Sequence, residues 1–332
     1  MEHFPLLNTP MRGDIVFLVM GSGSVGSLFG GLIASENYPV LLIGRKSHID
    51  EINNSGLKIK GLINQVVTTK AVETIQQAKE ILTESDKLAD YIFFTTKAHQ
   101  TEIAANQIQT IINPETTLIS IQNGIGTEEI IREIYPDNTV LRGITTIGVC
   151  KPAPGVIDFT GHGKTYIGYQ TEAEEQKARK IVEIMRKSKI DAFIEPNIQG
   201  AVFTKTIVNC ALNPLTAIHQ VLNKEIYNQL PLRNQAKAIA EEAWSVTKAL
   251  RIKLLTDDPI KMTFDIVKKT GENTSSMLTD ILNKRKTEID FLNGKIISLG
   301  LNEELSVTNN QEIYNKILTL EKSFLVDNSL GE

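Results

Sequence analysis

Cysteine is scarce: Cys150 and Cys210 are the only two in 332 residues. Both stand in apolar stretches, which reads as buried, reduced thiols and argues against a disulfide framework or a thiolate metal site. The five histidines fall at no metal-ligand spacing, so no metal is expected. No apolar run nears the roughly 20 residues of a membrane span, and the N-terminus lacks a basic stretch followed by an apolar one. A cytoplasmic protein with no membrane partner is expected. Charge of one sign is lacking too: a net −4 gives no general pull toward nucleic acid, so any anion site must be local. There is no internal repeat and no low-complexity segment. What remains, 41% hydrophobic and 22% charged residues, is the composition of an ordinary globular chain with room for two domains.

The most informative stretch runs over residues 15–45. Six apolar residues, 15–20, make a strand of the kind buried on both faces, and Gly21-Ser22-Gly23-Ser24-Val25-Gly26 stops it with the spacing G-x-G-x-x-G. Val25, Leu28, Phe29, Leu32 and Ile33 then follow at helical spacing, and the apolar run 40–43 returns as a second strand. In such a βαβ unit the first glycine makes the tight turn, the second admits a pyrophosphate, and the third lets the helix lie against the strand. The helix N-terminus offers unpaired N–H groups to the phosphates. A purely structural turn is the competing reading of the glycines; the strand, helix and strand around them favour a dinucleotide site. An NAD site usually has an acidic residue at the end of the second strand, whereas this chain has Gly44-Arg45-Lys46-Ser47. That reads as NADP(H), with Arg45 the main discriminator and Lys46 or Ser47 in support. Otherwise Arg45 is an ordinary surface charge.

Residues 1–13, with two prolines, read as a loose extension, and Met11 is an alternative start. Residues 14–195 read as an α/β domain with a Rossmann-type doubly wound sheet. Its expected strands are 89–95, 117–121, 140–149 and 192–194. Its helices are 48–55, 72–88, one ending at 112, 127–134 and 172–187. A strand or hairpin is expected over 57–69, and a β-hairpin over 156–168, turning at Gly161-His162-Gly163, as an antiparallel edge. Lys97 and Asn123 fall beyond strand ends, where open parallel sheets bind ligands, though loop chemistry also explains them. From Pro196 the composition turns helical, so residues 196–332 read as an all-helical C-terminal domain with helices at 198–221, 231–251, 258–270, 273–283, 287–300 and 309–322.

Lys205, Asn209 and Asn213 are spaced i, i+4, i+8 and drift only about 40° per step, so one helix face carries an ammonium and two amides. That stripe is either the wet face of the helix or a site. Pro214 biases Asn213 away from helical angles and suggests a kink or end. Thr287 with Asp290 fits a capping box.

Together these residues resemble the ketopantoate reductases, the 2-dehydropantoate 2-reductases of pantothenate biosynthesis. The resemblance runs over about 15–321 and is carried by GSGSVG at 21–26, TTKAHQT at 95–101, IQNGIGTEE at 121–129, GxGxxxIG at 161–168, KTIVNCALNPLTA at 205–217 and SSMLTDILNKRKTEIDFLNG at 275–294. It implies that Lys205 is the catalytic acid and Glu288 its acidic partner, which also meets the substrate hydroxyl and borders the cofactor. It places Asn209, Asn213, Asn223, Asn273 and Ser276 around the substrate, and Lys97 and Asn123 where cofactor and substrate meet. Phe203 stands where the family often has tryptophan, Lys224 where it commonly has glycine, and the segment 301–308 lacks a proline often found there. These departures bear on the pocket rim rather than on the chemistry. The implied reaction is reduction of a small 2-oxo acid by NADPH, with Lys205 supplying the proton. A reductase of another 2-oxo acid and a non-catalytic NADPH sensor stay open, as does the choice of monomer or homodimer.

One geometric expectation follows. Ser276 and Glu288 are 12 residues apart, about 18 Å along one helix, too far for both to touch one small acid. The helix must therefore break, and Asn283-Lys284-Arg285-Lys286 is the polar place for it.

Overall fold

The structure is a computed structural model that describes residues 15–328. The extension expected over 1–13, with Met11, lies outside the described residues. Two compact units divide the chain: residues up to Gln122 with Thr127–Ile198, and Asn123–Gly126 with Gln199 onward. The boundary expected at 195/196 thus falls three residues later, after Ile198, and four residues from the middle of the first stretch belong with the second unit.

In the first unit the chain runs β1 Phe17–Met20, α1 Ser24–Ser35, β2 Val40–Ile43, α2 Lys46–Ser55, β3 Leu57–Gly61, β4 Gln65–Val67 and β5 Lys70–Val72. It continues with α3 Ile75–Glu84, β6 Tyr91–Phe94, α4 Thr101–Gln107, β7 Thr117–Ser120, α5 Thr127–Ile134 and β8 Thr139–Thr145. Then come β9 Gly148–Ala153, β10 Val156–Gly161, β11 Thr165–Gly168, α6 Glu172–Lys187 and β12 Ala192–Ile194.

An eight-stranded sheet has the order β12-β11-β8-β7-β6-β1-β2-β5. Its six strands β5-β2-β1-β6-β7-β8 are parallel and follow the 3-2-1-4-5-6 order of a Rossmann-type sheet, with the switch point between β1 and β6. β11 runs antiparallel to β8 and carries β12 at the edge. Strand alternation splits the apolar residues between two cores. Phe17 and Val19 pack with Leu28, Phe29 and Ile181, while Leu18 and Met20 pack with Leu82, Ala105 and Ile131. Both faces of the strands are therefore dry, which explains their unbroken apolar runs.

A second sheet, β4-β3-β10-β9, covers the α1 side and was not expected from the sequence. The continuous strand expected at 140–149 is two strands in different sheets. The hairpin expected at 156–168 does not form: β10 pairs with β3 and β9, while β11 pairs with β8 and β12. Gly161-His162-Gly163 is a crossing between sheets. A Cβ on Gly163 would sit 2.3 Å from the Thr146 backbone. Val72 ends a strand rather than opening a helix; α3 begins only after the capping box of Thr74 and Gln77. Cys210 is buried as expected, but Cys150 lies exposed on edge strand β9; both are free thiols.

The second unit is helical: α7 Ile198–His219, α8 Glu225–Asn228, α9 Leu230–Ala249, α10 Pro259–Lys269, α11 Ser276–Leu282, α12 Asn293–Asn302 and α13 Thr308–Asn328. α7 does not end at Pro214. A proline at 214 deprives the Cys210 carbonyl of its helical donor, and the wholly buried Asn293 amide supplies one at 3.2 Å. No helix among the described residues is long and apolar enough to cross a membrane.

Candidate active site

The glycine turn of the first unit is built as its spacing demands. Gly21 has φ +101°, and the N–H groups of Gly21 and Ser22 both donate to the Ile43 carbonyl, at 3.1 and 2.7 Å. This ties the turn to the end of β2. A Cβ on Gly26 would lie 2.3 Å from the Gly21 carbonyl oxygen and from Thr95 Oγ1, so only glycine lets α1 approach so closely. Gly23 differs: it caps α1 without a side chain, and a Cβ there would meet nothing nearer than 4.0 Å. No protein contact demands a glycine at 23, whereas a pyrophosphate approaching the backbone would. Ser22 Oγ is buried without a protein partner among the described residues, and Ser24 and Val25 are half-buried in the first turn of α1. This cradle fits a dinucleotide phosphate.

At the end of β2, Arg45 is exposed and forms the N-cap of α2, which has no side-chain cap and no acid in its first turn. Lys46 is engaged with Asp50 at 3.1 Å and Glu73 at 3.6 Å, which leaves Arg45 the better placed cation. Lys97 follows β6, half-buried. The loop ends beyond β6 and β7 are locked by Gln122, whose amide nitrogen donates to Thr96 O and Oγ1 at 3.0 Å while its Oε1 accepts from Thr101 and Ser120. Arg142, 3% exposed, donates to the Gln122 carbonyl at 2.8 Å and pairs with Glu128 at 3.3 Å. Sequence reading missed both Gln122 and Arg142. Gln122 is signalled only by its position just beyond the carboxyl end of β7; Arg142, in the middle of β8, carries no such signal beyond being a charged residue in an otherwise uncharged strand.

In the second unit α7 is buried nearly all round. Between Gly200 and Ala217 only Lys205 and Asn209 are not buried, and they are half-buried; Asn213 is buried. A solvated stripe would be exposed, so the wet-face reading fails. Lys205 Nζ donates to Asn123 Oδ1 at 2.8 Å, and Asn123 Nδ2 donates to Glu288 Oε2 at 3.2 Å. One amide thus joins the ammonium and the carboxylate, the latter 6% exposed. Asn123 is set by its neighbours: Gly124 has φ +93°, a Cβ there would lie 2.5 Å from the Phe291 carbonyl oxygen, and Ile125 N–H donates to that oxygen at 2.9 Å.

The expected helix break is present. α11 stops at Leu282, Lys284 adopts φ +53°, and a short 3-10 turn, Ile289–Phe291, follows Glu288. The capping box expected of Thr287 and Asp290 is absent. Thr287 Oγ1 accepts from Ile289 N–H, its own N–H donates to the buried Glu321, and Asp290 accepts from Tyr314 instead. Glu321, missed from sequence, lies 34 residues downstream, where no local pattern points to it.

Ser276 opens α11, whose cap Ser275 accepts a hydrogen bond from Thr216 of α7 at 2.6 Å, three residues beyond Asn213. Asn223 is buried, donates to Thr270 Oγ1 at 3.0 Å, and joins Asn273 through its backbone N–H at 3.1 Å. Its Oδ1 is buried with no protein partner among the described residues, so it has a lone pair to offer. Asn273 and Ser276 are exposed, and Asn209 shares the helix face of Lys205.

The family model for ketopantoate reductase PanE/ApbA matches residues 17–172, and that for ketopantoate reductase PanE/ApbA C terminal matches 197–321. The chain is similar to the 2-dehydropantoate 2-reductase of Pyrococcus horikoshii, at 37% identity over 84% of this chain and 88% of that one. Its fold is that of a PanE/ApbA family ketopantoate reductase from Ralstonia eutropha, with a TM-score of 0.85 and 24% identity over 94% of this chain and 100% of that one. It is also similar in structure to a D-mandelate dehydrogenase solved with NADH and anilino(oxo)acetate, with a TM-score of 0.85 and 25% identity over 93% and 99% of the two chains.

Proposed function

The chain belongs to the ketopantoate reductase family, and we propose that it is a cytoplasmic, NADPH-dependent reductase that converts 2-dehydropantoate to pantoate for pantothenate and coenzyme A synthesis. The observation that carries the reading is the Lys205–Asn123–Glu288 chain of hydrogen bonds, which starts from an otherwise buried helix. The bound nicotinamide supplies hydride to the carbonyl carbon. As negative charge grows on the carbonyl oxygen, Lys205 donates its proton there and the product hydroxyl forms. Asn123 holds the ammonium through Oδ1 and steadies Glu288 through Nδ2, so both are aimed before substrate arrives. Glu288 accepts from the substrate hydroxyl. Asn209, Asn213, Asn223, Asn273 and Ser276 supply the amides and hydroxyls suited to a small, polar acid. Gly21 to Gly26 would hold the pyrophosphate of bound NADPH, Lys97 would border the cofactor, and Arg45 would meet the 2′-phosphate.

A second reading, reduction of a different 2-oxo acid, is favoured by the likeness to the D-mandelate dehydrogenase solved with anilino(oxo)acetate. Oxidation of NADPH with 2-dehydropantoate, run beside a panel of 2-oxo acids, separates the two. The expected result is the highest kcat/KM with 2-dehydropantoate. NADPH binding without turnover of any 2-oxo acid would instead mark a sensor. In the same assay Arg45→Ala should raise the KM for NADPH by about tenfold or more, as loss of a charge-assisted hydrogen bond does, and leave NADH nearly unaffected.

A further inference from the structure

His48 is 1% exposed, yet it is a polar side chain in the first turn of α2. Its backbone N–H donates to the Arg45 carbonyl at 3.0 Å. Its ring touches two other elements: Nε2 lies 2.9 Å from Ser27 Oγ in the first turn of α1, and Nδ1 accepts from Gly155 N–H at 2.8 Å, at the β9–β10 turn of the second sheet. A backbone N–H can only donate, so Nδ1 is bare, the ring is neutral, and Nε2 carries the proton toward Ser27. The β9–β10 turn is pressed on the same helix. Gly155 has φ +68°, a Cβ there would lie 2.3 Å from Glu51 Cγ, and its carbonyl accepts from Lys58 N–H at 2.9 Å. The ring therefore joins the first turn behind the glycine cradle, the first turn capped by Arg45, and the second sheet. It also does so at a helix start that has no side-chain cap of its own.

We infer that His48 is a positioning residue for nucleotide selection, fixing Arg45 relative to the glycine turn so that the guanidinium meets a 2′-phosphate. This rests on the NADPH reading above. A residue that merely filled the core would affect all nucleotides alike; a residue acting through Arg45 affects only those with a 2′-phosphate.

The test is titration of the full chain with 2′,5′-ADP and with 5′-AMP. The wild type should prefer 2′,5′-ADP; absence of that preference would overturn the NADPH reading itself, which separates the two failures. His48→Leu should lose about tenfold of the preference, on the scale of one charge-assisted hydrogen bond, with 5′-AMP affinity changed far less. Ser27→Ala, which removes only the Nε2 contact, should shift the ratio in the same direction and serves if His48→Leu does not fold. In an Arg45→Ala background, His48→Leu should cause no further loss of preference. Equal losses for both nucleotides, or additive losses in the double variant, overturn the inference.

Discussion

Lys205 and Asn123, 82 residues apart, meet at 2.8 Å with the ammonium donating and the amide oxygen accepting. That direction fixes the rest of the amide: with Oδ1 committed to Lys205, only Nδ2 faces Glu288, and a donor is what a carboxylate wants. Asn123→Asp keeps the acceptor for Lys205 but sets a second carboxylate against Glu288. We expect kcat/KM to fall by roughly ten- to a hundredfold, the range for a lost hydrogen bond to a charged group. Steady-state kinetics at neutral pH decide the matter, and wild-type values would remove Asn123 from the proposed mechanism.

Lys205→Ala should lower kcat by about a hundred- to ten-thousand-fold, the span usual for a general acid, because it removes a group that acts on the transition state. NADPH affinity, read by fluorescence titration, should stay close to wild type. Near-normal turnover would mean that the proton comes from another donor, with Lys97 the first to test.

His48 gives the chain a signature in acid. Burial, with the charge of Lys151, lowers its pKa from the ordinary 6.5 to about 4. The folded ring is neutral where the unfolded one is protonated, so unfolding takes up a proton between those values. Its contribution is fully present above pH 6.5 and is lost as pH falls toward 4. The groups around the ring are Ser27, the Gly155 N–H, Lys151 and, beside the turn, Glu51. Urea unfolding from pH 7 to 4.5 should show stability declining by at most about 1.4 kcal/mol per pH unit from this one group. His48→Leu should flatten that part of the curve; an unchanged slope would assign the acid sensitivity elsewhere.

The parts of the fold written in local pattern were legible. The β1–α1–β2 unit, the helix Glu172–Lys187 and the break after Leu282 follow from periodicity, glycine spacing and polar punctuation. What was not legible depends on distant partners. Val156 pairs with Lys58 in the second sheet, and nothing near either residue names the other. The sequence between β10 and β11 has the alternation and glycines of a hairpin, yet its strands are drawn to different sheets. Pro214 looked like a helix end because the donor that replaces its missing N–H comes from Asn293. At the site, the residue types on α7 were legible and their surroundings were not. The stripe of Lys205 and Asn209 stands apart from a wet face only through the burial of everything around it.

The placement of residues 123–126 with the helices has a consequence for synthesis. Asn123 is made 82 residues before Lys205 and 165 before Glu288. At roughly 5–20 residues per second its amide waits about 8–33 s for the carboxylate, so the segment is made well before the partners it packs with exist. The helical unit is consequently no detachable tail. A cut after Ile198 would free a fragment without Gly124 and Ile125, leaving the Phe291 carbonyl without the N–H that binds it. A fragment beginning at Gln199 therefore needs residues 123–126 from the other piece to rebuild the Lys205–Asn123–Glu288 chain.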